Sequence, residues 1–352
     1  MVEEASSPDA RSAEVVIVTY SADRDMLAVS SGLSAAGIPN RLWFFDGSDE
    51  DWAVEANAGR FRVRNGVRAL AMEDLRQARV VVHRTGIGHW TRPVRSTNAD
   101  REERLFEERE WASLLHGLFL EVEQRFPDLT WINPPSVTAV AGEKYQLLAT
   151  ADLDDLIVPR FSVSTQSSLP PSASGQFVCK ALSEDESING STTYCTAVLD
   201  AETRSAIPFR TDCPSLIQER VAIDHELRVY HLLGETVGLR ITADRPDYAD
   251  LRLVPRESLS VEVVDVGSDL EQRVLRYCAR RGLAYCVFDF LHTPDDHDFL
   301  VDVTPCGTWS HFEPPVDRPV TRWYVHTLCR FLSGPWADHL VGAAAGRPPA
   351  RS

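Results

Sequence analysis

Lysine is almost missing. Of the 36 basic residues in this 352-residue chain only Lys144 and Lys180 are lysines. A composition so biased toward arginine gives a surviving lysine weight, because its compact ammonium meets a phosphate as a point charge that guanidinium does not copy. No apolar run approaches the ~20 residues that span a bilayer, so no membrane segment is expected. The polar, acidic start from Met1 to Glu14 has no cationic stretch and no apolar run, which argues against a secretion signal and for the cytoplasm. The seven cysteines are scattered and form no C-x-x-C pair, which excludes a zinc ribbon or a disulfide framework and leaves them as small apolar residues. A net charge of −16 excludes bulk nucleic-acid binding, although one local cationic pocket remains compatible with it. Three nucleotide signatures are absent: the G-x-G-x-x-G turn after the first strand, the G-x-x-x-x-G-K-[ST] loop and the kinase set.

Hydrophobic residues at 43% and charged residues at 25% describe an ordinary globular chain. The length suggests about two domains. Residues 1–12 and 341–352 read as disordered tails. Between them, 13–127 reads as an N-terminal α/β domain. Val15–Tyr20, Arg41–Phe45 and Ala78–His83 are strand candidates, with a helix over Arg24–Gly37, and strand–helix–strand order implies a parallel sheet. An amphipathic helix is predicted over Glu102–Phe126, with Trp111, Leu114, Leu115, Leu118, Val122 and Phe126 at helical spacing. The remainder reads as two α+β lobes, 128–215 and 216–340. One helix is predicted from Thr138 to Asp152 and carries Lys144. Strands are predicted at Phe161–Ser164, Phe177–Lys180 and Leu216–Val221. A hairpin turns at Gly234, a helix covers Leu270–Gly282, a strand pair joins Tyr285–Leu291 to Asp298–Val303, and a last helix runs over Val320–Leu332.

The polar residues of these two lobes follow an informative order. Lys144 and Lys180 come first, 36 residues apart (180 − 144). Gln218 and Glu219 end a strand. Glu226 and Arg228 lie on the hairpin, and Arg252 follows. Asp289 and Asp302 sit on paired strands, with Thr304 two residues on. Binding ATP requires cations for phosphates, hydrogen bonds for adenine and ribose, and one or two carboxylates for Mg²⁺. Each residue alone also reads as a solvated surface group. Two aspartates between Phe288, Phe290, Leu300 and Val301 are harder to dismiss, because Asp is depleted in strands.

In this order, the region Trp131–Glu313 resembles the ATP-grasp ligases, and within them the microviridin-type peptide maturases, or graspetide synthetases. The resemblance rests on Trp131-Ile132-Asn133-Pro134 with Lys144 behind it, on Lys180, and on Gln218-Glu219. It continues through Glu226-Leu227-Arg228-Val229 with Gly234, through Tyr248-Ala249-Asp250-Leu251-Arg252, and through Asp289-Phe290. It ends on Asp302-Val303-Thr304-Pro305 with Gly307-Thr308-Trp309. The resemblance implies a small α/β domain ahead of a two-lobed ATP-grasp fold. It implies ATP and Mg²⁺ as cofactors, with Lys144 and Lys180 on phosphates. The backbone at Gln218 would meet adenine, and Glu219 would take ribose. Glu226 belongs to the nucleotide-side set, Asp289, Asp302 and Thr304 to the metal, and Arg228 and Arg252 to the transferring phosphoryl group or the substrate carboxylate. Asp302 and Thr304 depart from the family, which usually has glutamate and asparagine there.

The implied reaction activates Asp or Glu side chains of a ribosomal precursor peptide as acyl phosphates. A Ser or Thr hydroxyl, or a Lys amine, then closes an ester or amide ring. The implied partner is a precursor with a leader segment, and a homodimer is common in the family. Two alternatives stay open: a ligase adding amino acids to another protein or small molecule, and a weakened ATP- or peptide-binding protein. Arg101, Arg104 and Arg109, or Arg273, Arg276, Arg280 and Arg281, are candidate surfaces for acidic peptide. His311 reads as a general base or, more simply, a structural histidine. Asp295, Asp296, His297 and Asp298 read as a solvated turn, and Trp309 as packing.

Overall fold

A computed structural model describes residues 14–45, 52–65, 68–84, 101–141, 143–165, 175–182, 196–199, 214–244, 248, 250–314 and 317–334. The two expected tails lie outside these residues. The chain divides into two compact units, one formed by 1–137 with 321–352 and the other by 138–320.

In the first unit β1 (Val15–Thr19) is wholly buried and pairs in parallel with β2 (Asn40–Phe44) and β6 (Val80–His83). Its neighbour β7 (Thr130–Ile132) completes the order β2-β1-β6-β7. β-branched side chains suit a strand covered on both faces, and each one buried is worth roughly 1.5–3 kcal/mol. Helix α1 (Arg24–Ala35) starts on Asp23, whose carboxylate accepts from the backbone N–H groups of Asp25 and Met26. A second, antiparallel sheet is made by β3 (Trp52–Asn57), β4 (Arg60–Asn65) and β5 (Arg68–Ala71). The inward residues Phe61, Val63 and Leu70 join Trp43, Leu115, Phe119 and Trp131 in one core. Helix α2 (Met72–Gln77) follows that sheet and adds Leu75, and the 25-residue α3 (Arg101–Arg125) supplies Leu115, Leu118, Phe119 and Val122 to the core.

The expected start of the second lobe, residue 128, falls ahead of β7, which pairs into the first sheet. The last helix of the chain, Pro319–Ser333, also returns to this unit. Arg79 Nη1 donates to Leu332 O at 2.7 Å, and Val325 packs against Gly32 of α1.

In the second unit the predicted helix over Thr138–Asp152 is broken. Helix α4 (Pro135–Ala141) ends, Glu143 is extended, and α5 (Lys144–Ala149) restarts on Lys144. A 3₁₀ turn follows at Ala151–Asp154. One sheet has the order β10-β9-β11-β8, built from β8 (Phe161–Ser164), β9 (Phe177–Lys180), β10 (Ala197–Leu199) and β11 (Ser215–Glu219). The other is the five-stranded β14-β13-β12-β15-β16. Its hairpin of β12 (His225–Leu232) and β13 (Glu235–Ala243) turns through Leu233 and Gly234 at φ 50° and 88°, the pair of positive angles a two-residue turn demands. β14 (Leu259–Val264) is an edge, and β15 (Tyr285–His292) pairs with β16 (Asp298–Thr304). Helix α6 (Ser268–Arg281) covers one face of this sheet, Tyr277 meeting Phe288 edge-on at 5.2 Å.

Candidate active site

The pleat sorts the five-stranded sheet into two faces. Phe288 and Phe290 point toward α6. Asp289 points the other way and pairs across the strands with Arg228 on β12 and Asp302 on β16. Period-two alternation then places Glu226, Arg228, Asp289, Asp302 and Thr304 on one face. A bulge between Asp289 and Phe290 separates the acid pair from the regular ladder beyond it.

Arg228 Nη1 donates to both carboxylate oxygens of Asp289, at 2.8 and 3.1 Å, and Nη2 donates to Thr308 O at 3.3 Å. The guanidinium also lies 5.1 Å from the Phe312 ring, and its Nε has no partner among the described residues. Burial opposes its charge, yet the Asp289 carboxylate holds its pKa above the ordinary value. The loop carrying Thr308 is pressed onto the sheet. A Cβ on Gly307 would stand 2.6 Å from Val287, Tyr285 donates its hydroxyl to Gly307 O, and the buried Trp309 meets Tyr230 and Tyr285 edge-on. Trp309 is therefore packing, as its sequence context suggested.

Glu226 is held largely neutral. Burial is the main cause and the neighbouring Asp289 carboxylate the next, and together they raise its pKa from 4.5 to about 8 against the pull of Arg228 and Lys180. Tyr248 donates a hydrogen bond to it, and Tyr248's own pKa is raised by burial and by Glu226. Asp250 is buried nearby and accepts from Thr196 N at 3.0 Å. The side chain of Arg252 lies outside the described residues, and only its backbone, in a 3₁₀ turn at Leu251–Leu253, is placed.

Both lysines reach this face. Lys144 Nζ is 3.8 Å from Asp302 Oδ2. Lys180, on β9, is half-buried and has no hydrogen bond or ion pair within 4 Å among the described residues. Burial lowers its pKa, the charge of Lys144 adds to that, and the carboxylates of Asp302, Glu226 and Asp289 oppose it. A half-buried cation short of partners is an anion site in waiting. On the same sheet Gln218 pairs with Val178, and Leu216 with Lys180, so all four share one face. Gln218 is 1% exposed and its side-chain Nε2 is unsatisfied. The backbone N–H groups of Glu219 and Arg220 donate to Arg160 O and Gln176 O, which leaves the Gln218 amide as this strand end's unsatisfied donor. By the pleat Glu219 lies with Ile217 and Phe177, on the face opposite Lys180.

One feature that sequence reasoning did not single out fixes Lys144. Asp154 is completely buried and accepts from Arg280 Nε at 2.9 Å and Arg281 Nη1 at 2.8 Å. Arg281 Nη2 also donates to Thr150 Oγ1 at 2.9 Å, and Arg276 pairs with Asp155 at 2.9 Å. The last turns of α6 thus clamp the segment that begins with Lys144. Ile157 then bridges to Phe299 on β16, the strand that carries Asp302. The α6 arginines expected as a surface for acidic peptide are thus each paired with an acid of the same chain, Arg273 with Asp269 included, although Arg276 and Arg280 remain exposed. In the other candidate patch the side chains of Arg101 and Arg104 lie outside the described residues, and Arg109 is exposed.

The fit to magnesium follows from donor chemistry. No three His, Cys, Asp or Glu side chains converge as a cage among the described residues. Two carboxylates and a hydroxyl on one face are instead the incomplete set of hard oxygens that Mg²⁺ takes when phosphates fill its other positions. Those residues fit the ion together with a nucleotide. His311 is exposed beside Phe312. His297, Asp295, Asp296 and Asp298 form a turn whose polar groups bond to one another and to His292.

Set beside known proteins, this architecture is that of the ATP-grasp ligases. No protein-family description and no curated protein matches the chain. Solved structures do. The macrocyclase MdnC of Microcystis aeruginosa, bound to its precursor peptide MdnA, superposes with a TM-score of 0.71 at 19% identity, over 89% of this chain and 98% of that one. An ATP-grasp ligase of Chryseobacterium gregarium, in complex with ADP and leader and core peptides, gives 0.71 at 14%, over 91% and 97%. The ATP-grasp ligase PsnB with a minimal precursor gives 0.67 at 17%, over 94% and 98%. The likeness extends through both units, so the whole described chain shares their fold.

Proposed function

We propose that this protein is an ATP-dependent carboxylate ligase that closes rings in a ribosomally made precursor peptide. The carrying observation is the single sheet face that gathers Asp289, Asp302, Thr304, Arg228 and Glu226, with Lys180 facing it and making no hydrogen bond or ion pair among the described residues, in a fold whose solved neighbours hold ADP and precursor peptides. Phosphoryl transfer asks a protein for positioning and charge neutralisation more than for covalent chemistry, and these residues supply both.

Lys180 and Lys144 hold the phosphates, and the Gln218 amide is the hydrogen-bond donor for the base. Asp289, Asp302 and Thr304 hold Mg²⁺, which neutralises the phosphate oxygens when bound. Arg228, fixed by Asp289 and Thr308 O, orients the substrate carboxylate, with Arg252 as its partner. Neutral Glu226 keeps a second negative charge away from that carboxylate and can release its proton near pH 8. The carboxylate would take the terminal phosphoryl group of ATP and release ADP, and a Ser or Thr hydroxyl or a Lys amine would then attack the acyl carbon, losing a proton and displacing phosphate to leave an ester or amide. The setting is cytoplasmic and the substrate carries a leader; a homodimer fits the same reading. The described residues contain no helix long and apolar enough to cross a membrane.

The test is calorimetric titration with a non-hydrolysable ATP analogue, with and without Mg²⁺. Micromolar binding that needs Mg²⁺ and is lost in Asp289→Ala is expected, followed by loss of one water per ring from a genomically adjacent candidate peptide. Absence of binding at millimolar nucleotide would sink the ligase reading.

A further inference from the structure

A separate surface of the first unit has the form of a docking groove. It is about 900 Å³ and is bounded by β4, α2 and the end of α3. Arg60 and Arg62 stand on its sheet wall and Arg76, Arg125 and Phe126 on the helical side, while Phe61 turns its side chain into the core. Arg76, Arg125 and Phe126 also line a second cavity of about 660 Å³ that adds Arg79 and Asp128, so the two share that wall. The groove's own acids are few. Glu73 is bonded to Arg76, and Glu55 lies opposite Arg62 in the sheet. Arg125 is paired with Glu121 at 2.8 Å. Arg60 and Arg62 make no hydrogen bond or ion pair within 4 Å among the described residues, and both are exposed. Two exposed guanidiniums without such a partner among the described residues stand apart from a chain of net charge −16.

We infer that this groove docks an extended acidic peptide segment. Arg60 and Arg62 alternate along a strand, so their side chains are roughly 7 Å apart on one face. Carboxylates at every second residue of an extended peptide repeat at the same distance. Guanidiniums bind carboxylates through a bidentate fork, and the half-buried Phe126 offers an apolar contact between charges. Two cavities of about 900 and 660 Å³ that share a wall offer far more room than a single small anion fills and favour a chain. The inference is independent of the ligase reading, since neither cavity contains a residue of the proposed site.

The experiment is fluorescence anisotropy on the full-length protein. The probe is a labelled peptide with glutamate at every second position, and the control has glutamine in place of each glutamate. The glutamate peptide should bind at least tenfold more tightly than the control and weaken as salt rises. The double variant Arg60→Glu/Arg62→Glu should lose at least tenfold in affinity, while Mg²⁺-dependent binding of the ATP analogue stays unchanged. The milder Arg62→Gln should lose a few-fold, which separates lost charge from any misfolding of the double variant. Equal affinity for the two peptides, unchanged affinity in the double variant, or tighter binding of oligothymidine than of the peptide would overturn the inference.

Discussion

Buried charge is handled in opposite ways at two places in the molecule. At the end of the parallel sheet Asp23 is 1% exposed, and its carboxylate is saturated: it accepts from Thr19 Oγ1 at 2.5 Å and from two backbone N–H groups, and faces Arg84 at 3.5 Å. On the five-stranded sheet Asp302 meets Lys144 only at 3.8 Å, Lys180 pairs with nothing among the described residues, and Glu226 gives up its charge. Saturated charges hold a fold, because every lone pair already has a partner and a ligand could only displace one. Unsaturated charges on one face are costly to the free protein and repaid by a ligand. The difference separates structure from function without reference to any relative.

The sharpest way to break this comparison is Asp302→Ala. Its turnover should fall by about 10³ or more, measured as peptide-dependent ADP release, with little change in melting temperature. The Asp154→Ala variant should behave in the reverse manner. It strips a fully buried carboxylate from Arg280 and Arg281 and should lose about 3 kcal/mol in urea unfolding. Its residual folded fraction should bind nucleotide more weakly as Lys144 loses its support. For Asp23→Ala, loss of the cap and of the Arg84 contact should cost about 2 kcal/mol with nucleotide affinity untouched. A change in affinity there would end the distinction between the two regions.

Glu226 sharpens the contrast through pH. Its folded pKa, about 8, lies above the ordinary 4.5, so the folded protein binds more protons than the unfolded chain between those values. Its stabilising contribution is thus fully present below pH 4.5 and declines as pH rises through 8. In Glu226→Gln the stability lost between pH 5 and pH 8 should shrink relative to wild type, by chemical denaturation across that range. The smallest effect is expected from Asp302→Glu with Thr304→Asn, which restores the residues usual in the resembling family. Turnover should change by less than tenfold, since the present pair already faces the site from adjacent strand positions. A far larger gain would mark this protein as a weakened binder.

Much of this was legible in advance, because apolar periodicity reports burial. The valines of β1 and β6, the hairpin at Gly234 and the amphipathic α6 follow directly from it. The Arg60-Phe61-Arg62-Val63-Arg64 alternation was an equally clear strand signal, and with it β3–β5 stood unread among polar residues. The break before Lys144 was obscured by alanine and leucine on either side, which favour helix whether or not a turn intervenes. Lys144, Lys180, Asp289 and Asp302 could be picked out as unusual residues. Asp154 could not, because a carboxylate beside Leu153 and Asp155 looks like surface until the partners from α6, more than a hundred residues away, are brought to it.

The return of the last helix to the first unit has a consequence for the order of events during synthesis. Residues 1–137 emerge from the ribosome ahead of the second unit, yet the compact body they belong to is completed by chain that follows residue 320. The second unit, contiguous from 138 to 320, can close on itself as soon as it is free. Until Pro319–Ser333 arrives, Gly32 on α1 lacks Val325 and Arg79 lacks Leu332 O. The first unit is therefore begun before the second and finished after it, and in the nascent chain its sheet waits for a helix that follows the whole of the second unit.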